Sequence, residues 1–383
     1  MGLLKFVLGG AGAYAGMRLY LNKIKLPSEI TSPFEEYCQG KGYFVQNHWV
    51  ETKDGYFLRL FRLSKAENQY PNKSPVLIVH GMTANSKCFV MNQSVKPPAF
   101  ELVDNGHDVW LLNCRGNIYS RLHKTLRYED PEFWNWCATH IGDFDVPATI
   151  DYVLHKTGQK KLNYLGHSQG SYAAIHCFSI NPEYGDKVNL AALWSAPCGF
   201  LSLSPLHRAI GKSFESSNNH GPIGISLKST TNLKLAAAFP SVTLAVGEYL
   251  LKMKHEDDYS KYLPNYLYNL VGKTSRLNMK FWMQMEHRKS PIPTYFDYGE
   301  QENLRLYGSK VPKSLDFDKI KCNLAIFHGK YDQIASVKDL DHLRMQLPKS
   351  KIAFFKNDYD IDHMGFLVSK NQSHVSDLLG LLK

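Results

Sequence analysis

Short, mostly apolar runs recur along the chain from Tyr43 onwards and are separated by turn residues. The first two, Tyr43–Val50 and Tyr56–Leu63, are rich in strand-favouring residues and are joined through Lys53-Asp54-Gly55, which predicts a β-hairpin. The later runs are typical of parallel strands that are buried on both faces. They are Pro75–His80, His107–Asn113, Lys161–Leu165, Leu190–Ser195, Asn323–His328 and Lys351–Phe355.

Helical patterns fall between these runs, which indicates a regular alternation of strands and helices after the initial hairpin. Such alternation predicts an α/β fold with a mostly parallel sheet and helices on both faces. The predicted helices are Phe144–Lys156, Gln169–Ser179, Val337–Leu347 and Val375–Leu382.

One long interval interrupts the alternation. About 125 residues separate the strand that ends at Ser195 from the one that starts near Asn323, which is too long for an ordinary crossover. The interval is rich in aromatic residues. We therefore predict that residues 199–313 form an inserted, largely helical cap over one end of the sheet, and that residues 28–198 and 314–383 form the core.

Residues 1–27 differ from the rest of the chain. Leu3–Leu21 is apolar apart from two cations, but its uncharged part, residues 6–17, is shorter than the roughly 20 residues of a membrane-spanning helix. Its small residues would share one helix face suited to close packing in a membrane; they are Gly9, Gly12, Ala13 and Gly16. We predict a membrane anchor or docking helix, with a cleaved targeting peptide and a plain surface helix as alternatives.

Gly166-His167-Ser168-Gln169-Gly170 matches the pattern G-x-S-x-G. A predicted strand precedes it and a predicted helix begins at Gln169. A strand, a tight turn flanked by glycines and a helix form a nucleophile elbow, which exposes the serine hydroxyl above the sheet. Ser168 is therefore the candidate nucleophile.

A serine hydroxyl needs a base to take its proton and an acid to orient that base, and after an elbow these follow in the order acid, then histidine. Asp332 lies in the loop after the strand Asn323–His328, and His363 lies in the loop before the last helix. Both are therefore candidates for the triad. Asp339, Asp341, His342 and His374 are weaker candidates, and the two aspartates are interpreted as solvated residues of the next helix.

Acyl transfer also needs two backbone donors for the oxyanion. The strand Pro75–His80 leads into His80-Gly81-Met82, a glycine turn that can direct the Met82 amide at the reacting carbonyl. The second candidate donor is the amide of Gln169, directly after the nucleophile.

Several separate stretches resemble the acid lipase family of α/β-hydrolases, which includes gastric and lysosomal acid lipases, from about Ser32 to the C-terminus. The resemblance implies ester hydrolysis of neutral lipids, a mobile cap, the triad Ser168, Asp332 and His363, and oxyanion donors at Met82 and Gln169. The secreted members of that family carry a disulfide in the cap, whereas this chain has no cysteine between Cys198 and Cys322. The matching stretches are residues 52–56, 80–82, 108–113, 115–117, 145–151 and 166–170.

Composition narrows the classes of partner. Apolar residues make up 44% and charged residues 21%, which argues against a disordered or polytopic membrane protein. A net charge of +10 permits contact with acidic lipid surfaces, but there is no zinc-finger spacing and no long basic run, so we predict no nucleic-acid partner. None of the seven cysteines forms a CxxC pair, and no metal or organic cofactor is expected.

The sequence thus predicts a serine ester hydrolase, a lipase or esterase, that cleaves lipid carboxylic esters through an acyl-enzyme. The expected location is an intracellular membrane, mitochondrial or of another organelle, reached through residues 1–27, rather than a secretory or lysosomal compartment. The alternative is a non-catalytic or vestigially active subunit of a membrane protein assembly, since a fold does not fix a function.

Overall fold

The computed structural model describes residues 31–199, 221–223, 266, 272–288 and 293–382. Its main sheet has the strand order β1-β2-β4-β3-β6-β7-β10-β11, and a two-residue strand, β5, pairs with β2. The strands are β1 Phe44–Glu51, β2 Tyr56–Ser64, β3 Val76–Val79, β4 Val109–Leu112, β5 Leu122–His123, β6 Leu162–His167, β7 Val188–Trp194, β10 Asn323–Gly329 and β11 Ile352–Tyr359.

The sheet begins with antiparallel pairs and continues as parallel strands. The hairpin β1–β2 is antiparallel and β2 pairs antiparallel with β4, whereas β4, β3, β6, β7, β10 and β11 run parallel to one another. Gly55 turns the hairpin with a φ of 93°. The mostly parallel sheet predicted from the sequence is confirmed, and each strand of this sheet except β5 overlaps a predicted run.

The helices lie on both faces of this sheet, as predicted. They are α1 Phe34–Gly40, α2 Pro98–Asp104, α3 Val146–Thr157, α4 Gln169–Ile180, α5 Pro182–Asp186, α8 Val337–Gln346, α9 Gly365–Val368 and α10 Ser373–Leu381. Side chains of α3, α4 and α8 belong to one buried apolar cluster, and those of α1, α2, α9 and α10 belong to a second cluster.

Successive residues of the central strands supply the two clusters alternately. Leu77 and Val79 of β3 face the first cluster, whereas Val76 and Ile78 face the second. The same alternation divides Trp110 and Leu112 from their neighbours in β4. Because side chains of a strand point to opposite faces, a strand covered on both faces is apolar at most of its positions.

The predicted cap is described only in part. Within residues 199–313 the described elements are two short antiparallel strands, β8 Pro222–Ile223 and β9 Thr274–Ser275, and the helices α6 Arg276–Arg288 and α7 Glu300–Tyr307. Most of the interval lies outside the described residues, so its helical character and its boundaries stay predictions.

The predicted N-terminal anchor, residues 1–27, also lies outside the described residues. Among the helices of the described ranges, none combines the length and the apolar character needed to cross a membrane.

All seven cysteines lie in the described part of the chain and are buried thiols. Cys114, Cys177 and Cys198 lie in the apolar core and are at most 4% exposed. Burial raises the pKa of the Cys198 thiol to about 12, so it stays protonated and unreactive at neutral pH.

Candidate active site

Ser168 lies at the turn between β6 and α4, as the sequence predicts for a nucleophile elbow. Its backbone has φ 53° and ψ −120°, a conformation that is costly for any residue other than glycine. The Ser168 amide donates to the carbonyl of Trp194 at 2.9 Å, which ties the turn to β7. Only glycine fits at position 170, because a Cβ there would lie 2.3 Å from the carbonyl oxygen of Val79.

A continuous chain of hydrogen bonds joins the three predicted triad residues. Nε2 of His363 lies 2.9 Å from Oγ of Ser168, and Nδ1 of His363 lies 2.8 Å from Oδ2 of Asp332. All three side chains are buried. A carboxylate can only accept, so Nδ1 carries the proton and Nε2 is left with a lone pair that faces the serine hydroxyl.

The environment of Asp332 keeps it ionised. Burial alone would raise the pKa of Asp332, but the adjoining His363 imidazole and its hydrogen bond outweigh burial and hold that pKa below its usual value. The other carboxylate oxygen, Oδ1, accepts from the amides of Ile334 and Ala335, both at 2.9 Å. The loop after β10 therefore fixes the carboxylate and leaves Oδ2 for the histidine.

The turn with the first predicted oxyanion donor adjoins the nucleophile. A Cβ on Gly81 would lie 3.1 Å from Cβ of Ser168, so the turn after β3 packs directly against the elbow. Gln169, the second predicted donor, is the first residue of α4. The first backbone N–H groups of a helix have no acceptor inside the helix, so the backbone N–H of Gln169 can donate to a ligand.

His80 orients the peptide group that carries the Met82 amide, a role that the sequence analysis missed. Its Nδ1 lies 2.7 Å from the carbonyl oxygen of Gly81. Its Nε2 accepts from the amide of Cys114 at 3.1 Å, so Nδ1 is the protonated nitrogen and donates to Gly81. The Gly81 carbonyl and the Met82 N–H belong to one trans peptide unit and point in opposite directions. Fixing the carbonyl therefore fixes the direction of the Met82 N–H.

Burial lowers the pKa of His80 to about 4, so its imidazole stays neutral over the ordinary pH range. Asn117 also places its side-chain amide 3.0 Å from Nε2 of His80 and bonds to Oδ1 of Asn113 at 3.1 Å. Both asparagines belong to stretches that carried the family resemblance. The sequence thus singled out both asparagines, but only the fold shows that they support the turn after β3.

His167, inside the elbow motif, is a second residue whose role the sequence did not reveal. Its Nε2 lies 2.9 Å from the backbone carbonyl of His363. Burial lowers the pKa of His167 to about 3, so the neutral ring donates to that carbonyl. The residue before the nucleophile therefore also holds the loop of the candidate base.

The weaker candidates lie apart from this chain of hydrogen bonds. Nε2 of His374 lies 3.1 Å from the carbonyl of Phe366, and the His374 ring is fully buried. The interpretation of Asp339 as a solvated residue is wrong. Asp339 is fully buried. Its carboxylate accepts from the Ser336 hydroxyl at 2.6 Å, in the capping box that begins α8, and from the Gly199 amide at 2.9 Å, and these bonds offset the cost of burial. Asp341 is exposed, as expected.

In the ranges that the structure describes, no group of three or more histidine, cysteine or acidic side chains is arranged to hold a metal ion.

The sheet order and the elbow agree with two family models. Residues 34–93 match a partial α/β-hydrolase lipase region, and residues 74–215 match the α/β-hydrolase fold. The structure of a soluble variant of monoglyceride lipase from Saccharomyces cerevisiae has the same fold, with a TM-score of 0.59 and 13% identity, over 92% of this chain and 98% of that one. The protein is therefore an α/β-hydrolase.

Sequence relatives narrow this class. A tear acid lipase-like protein of Mesocricetus auratus is 30% identical over 89% of this chain and 88% of its own length. The human lysosomal acid lipase/cholesteryl ester hydrolase is 28% identical over 85% and 84%. A probable lipase of Schizosaccharomyces pombe is 40% identical, over 46% of this chain and 38% of that protein. The chain belongs to the acid lipase family, and it is a carboxylic ester hydrolase of the lipase or esterase type.

Proposed function

We propose that this enzyme hydrolyses carboxylic esters of lipids and that Ser168 is its nucleophile. The observation that carries the proposal is the chain of hydrogen bonds from Asp332 through His363 to Ser168 at a strained elbow. A strained, buried serine beside a correctly protonated imidazole has no evident structural purpose, whereas it matches the needs of nucleophilic catalysis.

The first half of the reaction forms an acyl-enzyme. Oγ of Ser168 attacks the acyl carbonyl carbon while Nε2 of His363 takes the hydroxyl proton. Asp332 stabilises the imidazolium that results, and the amides of Met82 and Gln169 bind the negative oxygen of the tetrahedral intermediate. When the C–O bond to the alcohol breaks, His363 returns the proton to the departing oxygen.

The second half releases the acid. Water enters where the alcohol left and gives a proton to Nε2 of His363 as its oxygen attacks the acyl carbon. The same two amides bind the second oxyanion, and collapse of this intermediate breaks the bond to Oγ of Ser168, which takes back the proton. Each cycle consumes one ester and one water and leaves the enzyme unchanged.

The names of the relatives support a lipid ester as the substrate, since they are lipases and a cholesteryl ester hydrolase. They do not favour the alternative of a non-catalytic subunit of a membrane assembly. Contact with a membrane through residues 1–27, and the intracellular location expected from it, stay predictions, since that segment lies outside the described residues. One relative is lysosomal by name.

The test is the reaction of the purified protein with a fluorophosphonate, together with hydrolysis of a short-chain p-nitrophenyl ester. We expect labelling of the wild type, none of Ser168→Ala, and a loss of kcat of about 10⁶ in that variant. The matched control is Ser179→Ala, which removes a buried hydroxyl from the far end of α4. If Ser168→Ala keeps a rate within tenfold of the wild type, the assignment of the nucleophile is wrong.

A further inference from the structure

One stretch of the described cap, Gly272–Trp282, contacts both of the turns that carry the candidate oxyanion donors. The Gly272 amide donates to the carbonyl oxygen of Thr83, the residue after Met82, at 2.7 Å. Nδ2 of Asn278 and Nε1 of Trp282 donate to Oε1 of Gln169 at 2.8 Å and 2.9 Å. The two turns belong to different strands of the sheet, so a single short segment of the cap bridges them.

The contact at Gln169 uses the whole capacity of its side-chain carbonyl. An amide oxygen has two lone pairs, and the two donors from α6 fill both. The Gln169 side chain is 5% exposed, so water does not replace these partners. Because the N–H of Gln169 is attached to the same Cα, fixing the end of its side chain restrains the direction of that N–H.

The two donors are themselves fixed. The Asn278 side chain also donates to Oγ1 of Thr274 at 2.9 Å, and its backbone amide donates to Oγ of Ser275 at 2.9 Å. The Trp282 ring packs edge-on against Tyr172, one turn further along α4, with ring centroids 5.1 Å apart. Asn278 and Trp282 are at most 1% exposed. This segment and the start of α4 therefore form one buried unit.

The contact at Thr83 lies beside a strained residue. Thr83 has a φ of 63°, which is rare for a β-branched side chain because Cβ crowds the backbone. The amide of Gly272 bonds to the carbonyl of this residue, and so supports the conformation in which the chain leaves Met82. A Cβ at position 272 would lie 2.6 Å from that carbonyl oxygen, so only glycine allows the approach.

We propose that Gly272, Asn278 and Trp282 are positioning residues for the oxyanion hole, and that the hole is complete only while this segment of the cap lies against the elbow. The proposal rests on the proposed function. The three residues do not touch the reacting atoms; they act through Thr83 and Gln169. Loosening them should therefore weaken binding of the transition state while leaving binding of the ester itself almost unchanged.

Three substitutions test this, each on the full chain. Gly272→Ala pushes the Thr83 carbonyl away, Asn278→Ala removes one donor to Gln169, and Trp282→Phe removes the other donor while keeping an aromatic ring. We expect kcat on a soluble p-nitrophenyl ester to fall about 10- to 100-fold, somewhat less than the loss on removing an oxyanion donor outright, with KM within twofold. A trifluoromethyl ketone, which adds to the serine and places an oxyanion in the hole, should lose affinity in proportion to kcat/KM.

Two matched controls separate positioning from a general loss of stability. Asn303→Ala removes an equally buried amide from α7, where it bonds to Asp297 and to the Lys310 carbonyl. Gly380→Ala adds a Cβ to α10, with no atom within 4 Å of it. Neither should change kcat or inhibitor affinity, although Asn303→Ala should lower the melting temperature.

A double-mutant cycle tests the route through Gln169. If Asn278 acts on the hole through this side chain, Gln169→Met combined with Asn278→Ala should cost no more than the larger single effect. Independent, additive losses would overturn the proposal. The proposal would also be wrong if the wild type is active and the cap variants have the same kcat and inhibitor affinity as Asn303→Ala. The proposed function would stand in that case. A wild type that hydrolyses no ester and ignores fluorophosphonate would overturn both.

Discussion

His363 and His374 are both buried imidazoles in the last part of the chain, yet their surroundings differ. His363 lies between a carboxylate and a hydroxyl, with a polar partner for each ring nitrogen. The His374 ring packs edge-on against Trp194 and Phe366, and burial lowers the pKa of His374 to about 3. His363 is placed to exchange a proton with Ser168, whereas His374 is a neutral part of the core.

We therefore expect different effects on rate and stability. His363→Ala and Asp332→Asn should each lower kcat by about 10⁴ or more, because the first removes the proposed base and the second favours the wrong tautomer. His374→Ala should lower the melting temperature and leave kcat within twofold. Ester hydrolysis and thermal unfolding of the three variants provide the measurements. Equal losses of kcat in His363→Ala and His374→Ala would contradict the assigned base.

Most of these placements could be predicted at the level of single residues. Loop position and chain order pointed to Asp332 and His363, because the ends of parallel strands meet at one edge of a sheet. The supporting roles of His80 and His167 could not be predicted. Each acts on a backbone carbonyl, His80 on its neighbour and His167 on a residue far along the chain, so sequence spacing gives no signal for either.

Most strands and helices with a strong pattern were predictable to within about two residues, which is the usual uncertainty at element ends. The exception is β11, which continues to Tyr359, four residues beyond the predicted end at Phe355. Several short elements were missed, among them the strand β5 and the helices α1 and α2. β5 has two residues, and α1 and α2 have seven each, so none is long enough to show a period. These short elements form through tertiary contacts, such as the stacking of Phe34 in α1 on Phe61 in β2.

A buried ionic network joins three elements that the sequence could only locate separately. Arg115, after β4, bonds to Asp145 at the start of α3 and to Asp54 in the β1–β2 turn, at N–O distances of 2.6 to 3.0 Å. Burial would raise the pKa of Asp54, but the Arg115 guanidinium lowers it below its usual value. The network fixes the hairpin turn against the loop that also carries Asn113 and Asn117.

We expect Arg115→Met to lower the free energy of unfolding by about 3–5 kcal/mol, because it leaves the fully buried carboxylate of Asp145 without its positively charged partner. The matched control is Lys321→Met, which breaks an ion pair with Asp186 that is half exposed on both sides and should cost under about 1 kcal/mol. Urea unfolding of both variants measures the difference. Equal costs would show that the buried network adds no more than a surface pair.

At the scale of the whole molecule, neutral histidines are built into the interior at several separate places. His80 follows β3, His140 precedes α3, His167 ends β6 and His374 lies in α10. Three of them are buried and His140 is half-buried. Burial lowers the pKa of His80 and His140 to about 4 and the pKa of His167 and His374 to about 3. In the unfolded chain each would titrate near 6.5.

This difference predicts how stability depends on pH. Between pH 6.5 and 4 the unfolded chain binds more protons than the folded one, so the free energy of unfolding must fall as the pH falls. One such histidine contributes up to about 1.4 kcal/mol per pH unit. Urea unfolding from pH 7.5 to 4.5 should show the decline.

The contribution of a single histidine to the pH dependence of stability can be measured, because replacing one buried histidine removes only that residue's contribution. His374→Phe keeps a ring among Trp194 and Phe366, and should make the pH dependence shallower by up to that amount even where it lowers stability at pH 7.5. His155→Gln, at an exposed position of α3, should leave the slope unchanged. A wild type that is equally stable at pH 7.5 and pH 5 would show that the buried imidazoles take up protons in the folded state.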